Sequence, residues 1–364
     1  MVHASNCKIV KLYPLLFTPN LHTVVWGGHR LCQWKQLYDL STPDTPRWPQ
    51  ATVGESWEVS AVPMSTSVIA NGRWAGRPLT DIIAEHPVEI LGKAVAQRYN
   101  NQLPLLVKFI DAERDLSIQV HPDDRMAQRE HGKMGKTEMW YVIDAKPGAY
   151  LYAGFREHLT REEYTRRVAD GTIVEALARH EVHTGDVFYL PAGRVHAICG
   201  GILLAEVQQS SDVTYRIYDY NRPGLDGKPR QLHTDLAARA LDFSVQDEYR
   251  TIYNDDSHRA NHCIDSPFFS VRVVDISGPF HRNLLKYDSF IITMCLRGDS
   301  IITIRSTGES IILREGYSAL IPAAIADYDV TPVNGTAQLL DAYIDNKDRS
   351  LFSKATRFLH ITRR

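Results

Sequence analysis

Four side chains of the kinds that bind divalent metal ions occur on short strand-like segments near the middle of the chain. Gln119 and His121 are two residues apart in the run Ser-Ile-Gln-Val-His, so an extended strand would project both from one face. Glu138 begins the next strand-like segment, and His196 follows a later turn. Two imidazoles, a carboxylate and an amide oxygen suit a borderline ion such as Zn²⁺ and leave a position open for water or substrate. The pattern therefore predicts a catalytic type of metal site with one Zn²⁺ per chain.

The segments that must position these ligands indicate a mainly β protein. Short apolar runs rich in β-branched residues, separated by Gly, Pro and Asp, occur in two blocks, at about 103–220 and 267–345. Such runs are typical of β-barrels and sandwiches. Neighbouring strands of one barrel can bring separated ligands together in its interior.

Helical signals are fewer. Thr160 and Glu163 have the spacing of a capping box and open a predicted small helical insert at about 157–181, with helix running to about Arg179. A second helical stretch, 80–99, contains a proline and a glycine, at which we expect it to break.

An internal repeat indicates two related units. The segment 185–196 reads G-x5-P-x-G-x2-H, and 316–327 repeats its spacing with alanine in place of the second glycine and aspartate in place of the histidine. A turn, a buried strand and a Pro-x-Gly turn would present the next side chain to a barrel interior. This spacing resembles the second motif of the cupin superfamily. It predicts two cupin (jelly-roll-like) β-barrels: a metal-binding catalytic domain at 1–240 and a metal-free domain at 241–364 that buttresses it.

Longer strings make the resemblance more specific. The chain resembles the type I mannose-6-phosphate isomerases in their short bacterial form. The matching strings span about residues 26–222 and are Trp26–Gly28, Gly54–Ser60, Pro104–Ala112, Ser117–Asp124, Gly135–Tyr141, Gly185–His196 and Glu206–Asp219. The C-terminal half matches only as the family's metal-free barrel.

The resemblance implies interconversion of mannose 6-phosphate and fructose 6-phosphate, a zinc-dependent aldose-ketose isomerisation of a small sugar phosphate. It also implies roles for individual residues. The zinc ligands would be Gln119, His121, Glu138 and His196. The catalytic residues would be Arg216, Lys136 and Glu206, and the phosphate-binding residues would be Ser117, Lys108 and Arg222.

The chemistry of such a reaction suits these residue types. Moving a proton between C2 and C1 of an open-chain sugar needs a base near both carbons and positive charge near the oxygens of the enediolate. Zinc and the fixed guanidinium of Arg216 suit the second task. Lys136 would share a strand face with Glu138 and could be the base. Glu206 or a water on the metal is the alternative base.

Several nearby residues are expected to have no chemical role. We expect the segments Trp26–Gly28 and Gly54–Glu58 to pack N-terminal strands against the catalytic barrel. His29, His131 and His183 have loop-like neighbours, and we expect them on the surface.

Composition excludes several other classes of protein. The 364 residues include 41 Lys plus Arg and 43 Asp plus Glu, a net charge of −2 that offers no field for a polyanion, so no nucleic-acid partner is expected. No window offers an apolar membrane span and the start lacks a signal-peptide pattern. Five scattered cysteines without a CxxC pair predict reduced thiols. We therefore expect a cytoplasmic protein, a monomer or weak homo-oligomer.

Two other functions fit part of the pattern. Two histidines and one glutamate also resemble the iron triad of oxygenases, so another metal cupin enzyme, such as an oxygenase or epimerase, is one alternative. A non-catalytic bicupin that binds sugar phosphates is the other. The additional glutamine ligand and the full set of cationic candidates favour the isomerase.

Overall fold

Short strands are the main secondary structure in the described part of the chain. The computed structural model of the protein describes residues 11–37 and 52–346. The strands up to residue 251 are β1 (Leu15–Leu16), β2 (Leu21–Gly28), β3 (Val53–Val59), β4 (Leu105–Ala112), β5 (Ile118–Val120), β6 (Glu138–Ala145), β7 (Tyr150–Phe155), β8 (Leu177–Glu181), β9 (Val187–Leu190), β10 (His196–Ile198), β11 (Ile202–Gln209), β12 (Tyr215–Tyr218) and β13 (Arg250–Thr251). The later strands are β14 (Ala260–Asp265), β15 (Ser270–Ile276), β16 (Phe280–Asn283), β17 (Ile291–Arg297), β18 (Ser300–Ile304), β19 (Ser310–Leu313), β20 (Ser318–Ile321), β21 (Asp327–Pro332) and β22 (Ala337–Tyr343).

Helices are short and lie between strands. They are α1 (Arg30–Trp34), α2 (Leu79–Glu85), α3 (Pro87–Leu91), α4 (Lys93–Arg98), α5 (Asp124–His131), α6 (Arg161–Asp170) and α7 (Thr234–Ala240). The predicted helical stretch at 80–99 does break at its proline and glycine, which separate α2, α3 and α4. No helix in the described ranges is both long enough and apolar enough to cross a membrane.

In the described part of the chain, four antiparallel sheets form two units, each with two sheets. The first unit has a sheet in the order β12-β5-β10-β7-β8 facing one in the order β13-β9-β6-β11-β4-β2-β3. The second has a sheet in the order β1-β20-β17-β22-β15-β14 facing one in the order β16-β21-β18-β19. The prediction of a mainly β fold of two cupin-type units is confirmed. The strand β1 pairs with β20, so an N-terminal segment completes the edge of the second unit.

The internal repeat has the same geometry in both units. Gly185 and Gly316 both have positive φ, +92° and +80°, which glycine adopts without the steric cost of a Cβ. Each is followed by a buried strand, β9 or β20, and by a proline turn. His196 is the first residue of β10, and Asp327 is the first residue of β21. The division at residue 240 remains a prediction.

The predicted helical insert is partly wrong. Thr160 and Glu163 form the expected capping box and α6 begins there, but the helix ends at Gly171, which has a φ of +78°. A short 3₁₀ turn follows, and the residues expected to continue as helix to Arg179 form β8 instead. The apolar spacing that suggested a helix is overridden because β8 pairs with β7 along its length.

The two units share a continuous apolar core. Phe109 and Val107 of β4 belong to the same buried cluster as Val271 and Ile292 of the second unit. This packing fixes the back of the catalytic sheet against the second unit. Cys32, Cys199, Cys263 and Cys295 are buried and form no disulfide within the described residues, and Cys7 lies outside them.

Candidate active site

The predicted metal ligands converge from both sheets of the first unit. Gln119 lies on β5 directly opposite His196 on β10, and His121 follows the end of β5. Glu138 is the first residue of β6 in the facing sheet. His121, Glu138 and His196 are almost fully buried. The four side chains therefore lie close together on neighbouring strands, as predicted. Their role as metal ligands remains a prediction.

Three of these side chains form a compact cluster. The Nε2 atoms of His121 and His196 are 3.2 Å apart, and they lie 3.3 Å and 3.2 Å from the two carboxylate oxygens of Glu138. Within the described residues this is the one group of three or more His, Cys, Asp or Glu side chains whose ligand atoms could share a metal ion. No such group occurs among the described residues of the second unit, whose lack of metal stays a prediction.

The backbone sets the tautomer of both histidines. His121 Nδ1 lies 3.0 Å from the carbonyl oxygen of Val213, and His196 Nδ1 lies 2.9 Å from that of Arg194. Each Nδ1–H donates to that oxygen, so each Nε2 lone pair points into the cluster. Burial lowers the pKa of both imidazoles, that of His121 to about 3, so they are neutral at physiological pH.

A divalent cation fits this donor set. Two imidazole lone pairs and a carboxylate face one another, and the Lys136 ammonium lies 3.2 Å from Oε2 of Glu138. Burial alone would raise the pKa of Glu138, but Lys136 and the two histidines hold it well below the usual range. A divalent cation would interact favourably with both lone pairs and with the carboxylate.

Gln119 borders the same cluster. Its amide nitrogen lies 3.3 Å from His196 Nε2, and its amide oxygen lies 3.4 Å from Ser117 Oγ. The two amide atoms are assigned by their hydrogen bonds, and a half-turn of the amide would direct its oxygen at the metal position. Its placement suits a fourth ligand.

The cluster lies beside a cavity of about 160 Å³ whose lining is mostly polar and charged. Its described lining residues are Trp26, Glu55, Trp57, Lys108, Ile110, Leu116, Ser117, Gln119, Lys136, Ile198, Glu206, Asp212, Thr214, Arg216 and Arg230. A larger groove of about 710 Å³ shares Asp212 with this cavity, but only the smaller cavity is lined by Gln119, which contacts His196, and by Lys136, which contacts Glu138. The chemistry therefore favours the smaller cavity.

Acids and bases lie on its seven-stranded side. Lys136 Nζ is 3.2 Å from Glu138 Oε2. Glu206, opposite Lys108 in the sheet, lies 3.2 Å from the Lys108 ammonium and accepts a 3.0 Å hydrogen bond from Trp140 Nε1. Burial raises the pKa of the Glu206 carboxyl, and the nearby Glu138 raises it further. A buried carboxyl with a raised pKa can exchange a proton closer to neutral pH.

Arg216 lies on the five-stranded side of the cavity. Arg216, directly opposite Gln119 in β12, donates from Nε to Ser117 Oγ at 3.3 Å and from Nη1 to the carbonyl oxygen of Gln231 at 2.8 Å. These bonds hold its guanidinium in one direction at the cavity wall. Lys108 also lines the cavity, although Glu206 and Glu55, at 3.2 and 3.4 Å, already oppose its charge.

One predicted phosphate-binding residue lies elsewhere. Arg222 is bonded to Asp219 and to the carbonyl oxygen of Asp115, and it is not among the described residues that line the cavity. Its role therefore stays a prediction without geometric support. The three loop histidines expected on the surface are exposed: His29, His131 and His183.

Other cavity residues were not predicted to have a chemical role. Glu55 and Trp57 are two apart on β3 and both line the cavity, with Lys108 Nζ 4.8 Å from the Trp57 ring centre. The segment does pack against the catalytic sheet, since β3 pairs with β4, and its lack of a chemical role stays a prediction. The same-face spacing that identified Gln119 and His121 could have identified Glu55 and Trp57. Arg230 lies in a loop, where no periodicity signals its position.

Together, the two-unit fold and the buried His/Glu/His cluster define a cupin protein with one candidate metal site in the described residues. A family model described as the catalytic domain of type I phosphomannose isomerase matches residues 15–148, and one described as the cupin domain of mannose-6-phosphate isomerase matches residues 259–344. The chain belongs to the type I phosphomannose isomerase family, and it is an enzyme of that family.

Individual relatives match most of the chain. A mannose-6-phosphate isomerase of Streptococcus mutans is 35% identical over 316 residues, which cover 86% of this chain and 94% of that protein. The mannose-6-phosphate isomerase ManA of Bacillus subtilis is 33% identical over 319 residues, which cover 86% of this chain and 95% of that protein. A crystal structure of the Bacillus subtilis mannose 6-phosphate isomerase matches with a TM-score of 0.79 and 31% identity, covering 92% of this chain and all of that one.

Proposed function

We propose that this protein is a zinc-dependent aldose-ketose isomerase that interconverts mannose 6-phosphate and fructose 6-phosphate. The observation that carries the proposal is the cluster of His121, Glu138 and His196, which adjoins a cavity lined by Gln119, Arg216, Lys136 and Glu206 through the contacts of Gln119 with His196 and of Lys136 with Glu138. The family relationship supports the substrate class. The cytoplasmic location, the oligomeric state and the absence of a nucleic-acid partner stay predictions.

Zinc would be held by Gln119, His121, Glu138 and His196. When bound, it would supply a Lewis acid that polarises the substrate's oxygen atoms and stabilises their negative charge. Imidazole and carboxylate ligands suit zinc, since it is a borderline ion.

The chain's own residues supply the proton transfer. Glu206 Oε1 is buried 3.2 Å from the Lys108 ammonium, while Trp140 orients the other oxygen. We assign Glu206 the movement of the proton between C2 and C1. The Lys136 ammonium faces the same cavity, where it can donate a hydrogen bond to a substrate oxygen. Arg216 supplies fixed positive charge to the developing enediolate.

The substrate's phosphate must bind away from the reacting carbons. No helix N-terminus lines the described cavity, so side chains must supply the donors. Ser117 and Arg216 contact each other at the wall, and Lys108 lies on the facing sheet. Ser117 supplies a hydroxyl donor and Lys108 a cationic donor for the phosphate.

The experiment is a coupled assay of mannose 6-phosphate isomerisation before chelation, after chelation and after zinc is restored. We expect activity to be lost and regained. His121→Ala should lose metal and activity together, because it removes one of three buried ligands. His183→Ala, a substitution at an exposed loop histidine, is the matched control and should keep both.

Full activity in metal-free protein would exclude the role of zinc. No activity in zinc-loaded protein would leave the two alternatives, a non-catalytic sugar-phosphate-binding bicupin or another metal cupin enzyme. Oxygen uptake by the metal-loaded protein would then separate an oxygenase from a binding protein.

A further inference from the structure

A single buried carboxylate holds two arginines beside the cavity. Asp219 follows β12, and its side chain is 5% exposed. Arg230 donates from Nε to Oδ2 at 2.7 Å and from Nη2 to Oδ1 at 2.5 Å, a two-bond fork. Arg222 donates from Nε and Nη2 to Oδ1 at 3.1 and 2.8 Å. Burial alone would raise the pKa of Asp219, but the bonds from Arg230 and Arg222 hold it below the usual range.

The two arginines serve different places. Arg222 donates its remaining Nη1 group to the carbonyl oxygen of Asp115, and its guanidinium lies 5.6 Å from the ring centre of Tyr220. Arg230 lines the cavity together with Arg216 and Ser117. In the described part of the chain, Nη1 of Arg230 has no hydrogen-bond partner. Arg230 is therefore the one of the two that can reach a ligand in the cavity.

The loop between the two arginines also fixes Arg216. It folds back on itself, with Gly224 donating to the carbonyl oxygen of Lys228 at 2.7 Å, and this returns Arg230 to Asp219. The next residue, Gln231, accepts the hydrogen bond from Arg216 Nη1 at 2.8 Å. Arg216 and Arg230 are thus held at the cavity by one loop.

The charge of this group matches a phosphate. The guanidinium groups of Arg222 and Arg230 contact Asp219, and that of Arg216 lies nearby, so three positive charges stand against one negative charge. A phosphate monoester carries close to two negative charges at neutral pH. Paired guanidinium groups bind phosphate oxygens through parallel hydrogen bonds.

The location also suits the far end of the substrate. A series of contacts leads from the metal cluster outward: His196 to Gln119 at 3.3 Å, Gln119 to Ser117 at 3.4 Å, and Ser117 to Arg216 at 3.3 Å. Arg230 lies with Arg216 at the outer end of this series. In a hexose 6-phosphate the phosphate is attached four carbons away from C2, so it belongs at that end.

We propose that Arg230 is a phosphate-binding residue of the active site, that it binds the substrate phosphate next to Arg216, which keeps its role at the enediolate, and that Asp219 is the positioning residue that orients Arg230. This inference rests on the proposed function for its substrate and makes Arg230, rather than Arg222, the arginine that binds the phosphate.

The test compares Arg230→Gln with Arg222→Gln in zinc-loaded full-length protein. We expect Arg230→Gln to raise KM for mannose 6-phosphate by about 10- to 100-fold, since it loses hydrogen bonds to a charged group, with a much smaller change in kcat. The inhibition constant for inorganic phosphate should rise by the same factor. Arg230→Lys should reverse only part of this rise in KM, because an ammonium cannot donate the two parallel hydrogen bonds of a guanidinium.

Two further variants separate positioning from structure. Asp219→Asn should raise KM less than Arg230→Gln, and the double variant should resemble Arg230→Gln alone, because the two residues act through one contact. Arg259→Gln, at an exposed arginine of the second unit, is the matched control and should leave KM unchanged.

Inorganic phosphate binding, measured by calorimetry on each variant, does not depend on turnover. Wild-type protein that is inactive, but whose phosphate affinity falls in Arg230→Gln, would refute the proposed function and support the anion site. Active wild-type protein with unchanged KM and phosphate affinity in Arg230→Gln would overturn the inference. A rise in KM confined to Arg222→Gln would also overturn it.

Discussion

The two buried histidines show how the backbone prepares a metal site. Each Nδ1 donates to a carbonyl oxygen, of Val213 or Arg194, so each Nε2 is a lone-pair donor before any ion binds. The residue types and their spacing could be predicted because alternation along a strand and a turn motif are local properties. The carbonyl group of Val213 could not, because it is 92 residues from His121, and that of Arg194, two residues before His196, belongs to the backbone and has no residue-type signal.

Arg216→Ala tests charge stabilisation at the residue scale. We expect metal content and unfolding midpoint to remain, and kcat to fall roughly 10²- to 10³-fold, because a fixed donor to the developing oxyanion is lost. Steady-state kinetics with parallel metal analysis is the measurement. A kcat close to that of the wild type would make Arg216 a purely structural residue.

Glu206→Gln tests the proton-transfer assignment. The amide keeps the shape and accepts the Trp140 hydrogen bond but cannot carry a proton, so kcat should fall by about 10²-fold or more. Exchange of the substrate's C2 hydrogen with deuterated solvent should fall equally, while zinc content stays. Glu162→Gln, on the exposed face of α6, is the control. Unimpaired exchange would transfer the role to Lys136.

At the scale of elements, the repeat explains which unit does chemistry. The turn before His196 and the turn before Asp327 have the same frame, so the architecture was predictable from spacing. The end of α6 was not, because helical spacing and strand pairing compete and only the neighbouring β7 decides between them. Arg230 was missed for a similar reason: a loop that folds back leaves no periodic signal.

The second unit contains an ion pair between its two sheets. Arg282 on β16 donates to Asp341 on β22 from Nε at 3.1 Å and from Nη2 at 2.5 Å, and Thr293 donates to the same carboxylate at 2.8 Å. Both members of the ion pair are buried. The carboxylate of Asp341 is therefore neutralised inside the second unit by the guanidinium of Arg282.

Asp341→Ala should therefore destabilise the protein strongly. It leaves the Arg282 guanidinium buried and unpaired, which costs about 3–5 kcal/mol of unfolding free energy. Urea unfolding of zinc-loaded protein measures the loss, and zinc content per folded chain should not change. Arg282→Met combined with Asp341→Ala should recover most of the stability. A loss below about 1 kcal/mol would show that the pair is not structural.

At the scale of the whole molecule, a buried lysine joins the two units. Lys35, which follows α1, donates to Glu58 Oε1 at 2.7 Å and to the carbonyl oxygen of Gly316 in the second unit. Its own carbonyl accepts a 3.0 Å hydrogen bond from Tyr317, whose ring lies under the ammonium at 4.4 Å. Catalytic and non-catalytic units are therefore held together by a polar contact within an apolar core.

Lys35→Met should cost about 3–5 kcal/mol, because Glu58 is then left buried without its cation. The change should also alter the pH dependence of stability. Burial lowers the pKa of Lys35, so the unfolded chain keeps this proton to a higher pH than the folded one. Unfolding free energy should accordingly rise with pH between the folded pKa and about 10.5 in the wild type.

Denaturant unfolding of both proteins across that pH range measures this contribution as their difference. Lys35→Met combined with Glu58→Gln is the control, since it removes both charges and should recover part of the lost stability. The same pH slope in wild type and Lys35→Met would contradict the assignment.

The pairing of β1 with β20 has a consequence for how the protein is made. The ribosome produces Leu15 and Leu16 at the start and their partners, Leu320 and Ala319, about 300 residues later. At ordinary rates of translation this interval lasts roughly 15 to 60 seconds. For that time the first strand has no edge to join, and its sheet can close only after β20 has left the exit tunnel. An edge strand of the second unit is therefore synthesised long before the partner strand that holds it.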